Sequence, residues 1–180
     1  MTDLIEIGLD SWIIADGNYD DFAVGEIRSF ALAYYDVDPL TSAESRTASM
    51  KSLGNAQYRV NGRTVFQDNG WVVIDTGVLA YRELGGRQQP PRQFAGEIGL
   101  GIDPFFYFEQ LALRPNAPPL IHDWRIHRIT VETAPRILNG GMLIFDPAKL
   151  HRVDVQTTRG TGEDFVLHCE RVSNEPRKTL

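Results

Sequence analysis

Three Asn-Gly dipeptides, Asn61-Gly62, Asn69-Gly70 and Asn139-Gly140, constrain the fold of this chain more than any other feature. Both residues of the pair tolerate positive φ, so Asn-Gly suits the two-residue turn of a β-hairpin. The segment 63–68 between the first two turns must then pair with 57–60 on one side and with 71–76 on the other. The result is a three-stranded meander. Farther along, Asp123, Arg125 and His127 alternate with Trp124 and Ile126, the period-2 pattern of a strand with one wet and one dry face. The parity slips near Ile129–Val131, and the expected partner is Met142–Phe145 across the Asn139-Gly140 turn. Val153 and Val155 alternate with polar residues, a turn at 159–162 follows, and Phe165, Leu167 and Cys169 resume the alternation. A second hairpin is expected to close the chain.

Helical signals are sparse. Thr41-Ser42-Ala43-Glu44 fits a capping box and Gly54 a helix C-terminal glycine, which predicts one short helix over 41–54. The stretches 85–92 and 115–119 carry Gly and Pro and read as breaks between elements. Trp71–Ile74, Gly96–Ile102 and Phe105–Phe108 are apolar on both faces, as strands covered twice or lining a closed interior would be. The expected fold is all-β: an antiparallel, meander-rich barrel or sandwich of roughly ten or more strands with at most one short helix. With 180 residues, 42% of them hydrophobic, the chain suffices for one core, and a single domain over 1–180 is expected. Within it, Trp12–Gly17 followed by Phe22–Ile27 resembles Trp71–Gly77 followed by Phe94–Ile98. This suggests two similar β units, 8–40 and 66–112, sharing a core.

The same residues narrow the function classes. No apolar run approaches the roughly 18 residues of a membrane span, and the acidic N-terminus lacks the basic and apolar pattern of a secretory leader. The single cysteine, Cys169, cannot form an internal disulfide or a multi-cysteine metal site; it shares a face with Phe165 and Leu167 and is expected to be a core thiol. A cytoplasmic setting follows as the expectation. His122 and His127 fall on opposite faces of one strand, so they do not make a two-ligand metal site. The loop Asp16-Gly17-Asn18-Tyr19-Asp20-Asp21 offers oxygens for a hard cation, but it departs from the EF-hand pattern at Asp21 and Ile27 and reads as an Asx-stabilised turn. Neither a metal nor a cofactor is expected. No nucleophile elbow, phosphate loop or zinc-protease helix is present, and the glycines of 96–101 fall in a strand, where they mark a bulge or close packing. The sequence pI of about 5.2 argues against a nucleic-acid groove.

Charge is divided along the chain. Residues 1–44 hold ten acids and one base, Arg28, a net of -9, while the other 136 residues hold 14 acids and 17 bases, a net of +3. The leading reading is therefore a non-catalytic binding or interaction protein whose acidic N-terminal surface meets a basic partner through Asp16, Asp20, Asp21, Asp36 and Asp38. The alternative is a small-molecule-binding β-barrel or cofactor-free enzyme with an aromatic-lined cavity, in which Tyr34, Tyr107, Arg125 and His127 are the residues to examine.

Overall fold

The structure is a computed structural model and describes residues 4–44, 47–139, 142–160, 164–173 and 175–180. Its elements run β1 (Ile5–Leu9), α1 (Ser11–Ala15), β2 (Ile27–Phe30), β3 (Leu32–Asp36), β4 (Thr41–Ser42), β5 (Ser49–Gly54), β6 (Gln57–Gln67), β7 (Trp71–Asp75) and β8 (Leu79–Glu83). They continue with β9 (Gln93–Ile102), α2 (Phe106–Glu109), β10 (His122–Thr133), β11 (Arg136–Asn139), β12 (Met142–Phe145), β13 (His151–Val155) and β14 (Phe165–Arg171). The fold is all-β. Twelve strands form one sheet, and β11 with β12 forms a separate hairpin. No helix among the described residues is long and apolar enough to cross a membrane.

The long strand β9 organises the sheet, because it pairs with β6 and β1 as well as with β3 and β4. The pairings β9–β3–β8–β7–β6 return to β9 and close a five-stranded barrel. A second circuit runs β9–β1–β14–β10–β2, and β2 continues through Ala31 into β3, which again pairs with β9. Closing strands into circuits reduces the exposed edges that invite aggregation. One hydrophobic cluster fills both circuits, with Ile7, Leu9, Leu32, Val72, Ile74, Leu100, Trp124, Ile126 and Leu167 among its buried members. A second cluster lies on the other face of β7 and β8, where Trp71, Val73 and Tyr81 meet Tyr107, Leu111, Leu120 and Ile121. Strand β7 is thus buried on both faces, as its unbroken apolar run requires.

Several local expectations change. Asn61-Gly62 is not a turn but the middle of β6. Glycine is needed there for close approach: a Cβ on Gly62 would lie 2.7 Å from the Asp75 carbonyl oxygen and 2.7 Å from the Phe94 ring. The hairpin ahead of β6 instead uses Asn55 and Ala56, with φ of 60° and 56°, as a type I′ turn demands. Asn69-Gly70 does lie in the β6–β7 hairpin, but neither residue has positive φ. The Asp68 carboxylate holds this turn by accepting the Gly70 and Trp71 amides, each at 2.9 Å. Asn139 ends β11, and β12 pairs with β11 rather than with β10; Gly140 lies outside the described residues. Strand β10 takes β13 and β14 as its neighbours, so these two do not form a hairpin with each other. The parity slip in β10 is a bulge between Ile126 and Arg128.

The expected helix over 41–54 is replaced by β4 and β5. Gly54, at φ 85°, serves the hairpin turn instead of a helix end. Helix is confined to short turns elsewhere. Trp12–Ile14 coil into α1 whereas Trp71–Ile74 run extended in β7, so the two similar sequence blocks adopt different local structure. Phe105–Phe108 is not a strand: Phe105 sits at φ 73° and leads into α2, whose Tyr107 is buried while Phe106 and Phe108 face outward.

Candidate functional site

Side-chain alternation in the strands around β9 creates a cavity. Ile7, Leu9, Leu32, Tyr34, Leu100 and Ile102 point into the main core, so Gly8, Ala33 and Gly101 face the other way. Registers place these in one row: Gly8 opposite Gly101, Gly101 opposite Ala33, and Ala33 opposite Tyr81. Three neighbouring strands therefore present almost no side chain along a line of roughly 10 Å, given strand spacings near 4.8 Å. The missing volume is a cavity of about 550 Å³. Tyr81 and Trp71 bound it on one side, α1 supplies Trp12 and Ile13, Pro104 comes from the turn after β9 and Phe106 from the start of α2. A neighbouring glycine performs a related task. The Tyr35 ring covers Gly99, where a Cβ would fall 1.9 Å from the ring, so the phenol lies flat against the strand at the cavity rim.

The polar groups of the site are few. Asp10 precedes α1 with extended backbone, and the single helical turn brings the Trp12 indole back to it, donating to the Asp10 carboxylate at 3.2 Å. Arg82, buried on β8, pairs with the Asp36 carboxylate, donates to the Gln88 carbonyl at 3.3 Å and lies over the Tyr34 ring at 4.9 Å. Burial pushes the Tyr34 phenol pKa up, against the lowering effect of Arg82. The Arg82 Nε–H and the Tyr34 hydroxyl are both buried and have no hydrogen-bond partner among the described residues. Glu83 and Arg87 complete the charged lining. Behind Tyr81, its hydroxyl donates to the buried Asp103 carboxylate, which also accepts the Tyr107 amide at 3.1 Å.

The residues singled out from sequence are distributed differently. Tyr34 borders the cavity, but its ring points into the main core. Tyr107 sits one ring behind the cavity, 6.0 Å from Tyr81; its hydroxyl donates to the Pro118 carbonyl at 2.9 Å and accepts the Leu120 amide at 3.1 Å. Arg125 and His127 lie on exposed positions of β10 and do not line the cavity, and His127 bonds to Glu170 at 3.0 Å. His122 is buried on the other face, its Nδ1 3.1 Å from the Ser173 carbonyl, so the two nearest histidines do point apart. Among the described residues no group of three or more His, Cys, Asp or Glu side chains could hold a metal ion. Cys169 is fully buried, and desolvation pushes its thiol pKa up to about 12, which makes it a core residue.

Of the five acids expected to form a docking surface, two are engaged internally. Asp36 pairs with Arg82, and Asp21 accepts the Thr158 hydroxyl at 3.4 Å while its carbonyl accepts Arg28 at 2.7 Å. Asp16, Asp20 and Asp38 are exposed. The 16–21 loop is fastened by its neighbours: Asn18 donates to the Pro104 carbonyl at 3.4 Å and Tyr19 to the Asp103 carbonyl at 3.0 Å. Comparisons of the chain with family models, curated proteins and solved structures find no match.

Trp12, Tyr35, Trp71, Tyr81 and Asp10 are lining residues that sequence reasoning misses, whereas Phe106 belongs to the 105–108 run expected to line a closed interior. The readable signal was the glycine spacing of 99 and 101 within a strand, since glycine on one face of a strand leaves room for something else.

Proposed function

We propose that this chain is a non-catalytic binding protein that holds a small molecule in the cavity above the Gly8–Gly101–Ala33 row. The observation carrying this reading is that row itself. A sheet face with three aligned positions lacking bulk, walled by five aromatic side chains, is concave and largely apolar, as small-molecule sites are.

Native mass spectrometry of the protein purified from its own host tests the reading. A small-molecule mass increment is expected in the wild type and is expected to vanish in Gly101→Val/Ala33→Leu. That variant fills the trough, and at Gly101 a Cβ meets only the Gly8 carbonyl, at an ordinary 3.7 Å. An increment retained unchanged by the filled variant overturns the proposal. So does a wild type with no bound species that no compound of a metabolite library stabilises against heat.

A second reading, capture of a basic partner by the acidic N-terminal region, is favoured by one observation: Asp16, Asp20 and Asp38 are exposed and form no ion pair among the described residues. Asp16→Lys/Asp20→Lys is then expected to abolish salt-sensitive retention on a lysine-rich peptide without lowering the unfolding midpoint. Equal retention by both proteins dismisses this reading.

A further inference from the structure

We propose that the cavity selects organic cations, with an alkylated ammonium head beside Asp10 between the Trp12 and Tyr35 rings and an apolar body along the Gly8–Gly101–Ala33 floor. The inference rests on the small-molecule reading above. Of the four charged residues lining the cavity, Arg82 is already neutralised by Asp36, which leaves Asp10 and Glu83 against Arg87. The Asp10 carboxylate is fixed by the Trp12 indole N–H, and its charge reaches Tyr35, whose phenol pKa is raised by burial and next by Asp10.

Exposure of the rings points the same way. Trp12, Tyr35 and Phe106 line the cavity and are 43%, 47% and 41% exposed, in a chain that buries Trp71, Trp124, Tyr81 and Tyr107 almost completely. Aromatic faces carry negative electrostatic potential and attract a cation within about 6 Å, most strongly one that is weakly hydrated. The Asp10 carboxylate, at the N–H edge of the Trp12 indole and within electrostatic reach of Tyr35, adds the opposite charge. An anion would meet Asp10 and Glu83 unfavourably, and a neutral sugar would gain contact with the rings but nothing from the charge. A bare metal ion lacks a ligand set, since no group of three candidate ligands exists among the described residues.

Titration of the full chain with benzyltrimethylammonium, methyl β-glucoside and benzoate, followed by tryptophan fluorescence and calorimetry, tests this. Benzyltrimethylammonium is expected to bind best. Asp10→Asn keeps the acceptor for Trp12 and is expected to weaken the cation about tenfold, while Trp12→Ala weakens it by about five- to thirtyfold. Preference for glucoside or benzoate, lost on filling the trough with Gly101→Val/Ala33→Leu, overturns the cation inference and leaves the small-molecule reading standing. Cation binding that Asp10→Asn leaves unchanged overturns it as well, as does the failure of the cation to bind at millimolar concentration. Cation binding that survives trough filling overturns both readings together.

Discussion

Trp124→Ala is expected to lower the stability of the fold by about 3–5 kcal/mol, the usual cost of truncating a fully buried large aromatic. Trp124 has no exposed surface, stacks on Phe30 with ring centroids 5.8 Å apart, and meets the His122 ring edge-on at 5.8 Å. It also donates its indole N–H to the Phe30 carbonyl at 3.1 Å. The position is structural as well as bulky. Trp124 lies opposite Arg28 of β2 and Arg171 of β14, so its loss opens the second circuit where β10 joins both neighbours. For a domain of this length the thermal midpoint is expected to fall by about 10 °C or more. Trp124→Phe keeps much of the packing but leaves the Phe30 carbonyl without its donor, and is expected to fall between the two. Urea denaturation of the three proteins measures this. A loss below about 1 kcal/mol for the alanine variant would mean that the β2–β10–β14 junction is not closed as described. Trp12→Ala provides the contrast, since an exposed ring at the cavity rim contributes little to folding.

That difference between two tryptophans explains how far the sequence could be read. Period-2 alternation reported β10 and β14, and the apolar run Trp71–Ile74 reported a strand buried on both faces. These signals are local and come from the core. Pairing partners were misjudged wherever the connection was not a tight turn: β13 and β14 flank β10, and β9 spans both circuits, through contacts that no local pattern encodes. Asn-Gly at 61–62 misled for a specific reason. The same absence of Cβ that favours positive φ also permits a crowded strand crossing, and Gly62 serves the second purpose against Asp75 and Phe94. The cavity was legible only in part. Glycines in the strand 96–101 announce a bulge or close packing, but the row Gly8–Gly101–Ala33 exists only once β1, β9 and β3 are in register. Arg125 and His127 drew attention as polar residues on an alternating strand, yet alternation with an apolar face is equally the mark of an exposed sheet surface, and that is where they lie.

The buried Asp103 carboxyl is expected to make stability fall as pH rises through the range between about 4 and 6. Burial raises its pKa from 3.8 to about 6, against the opposing effect of the Tyr81 hydroxyl and of the Tyr107, Phe106 and Phe108 amides. A carboxyl whose folded pKa exceeds its unfolded value binds its proton more tightly in the native state. Its contribution is therefore complete below the unfolded pKa and lost as pH passes the folded one. A shift of about two pKa units corresponds to about 3 kcal/mol. Denaturation of wild type and Asp103→Asn at pH 4, 5, 6 and 7 isolates this contribution, because subtraction cancels the other carboxylates. The wild type is expected to lose about 2 kcal/mol relative to the variant across that range. Tyr81→Phe removes a hydrogen bond that stabilises the charged carboxylate, so it should move the transition to higher pH. A difference that stays flat with pH would show that Asp103 is solvated in the native state.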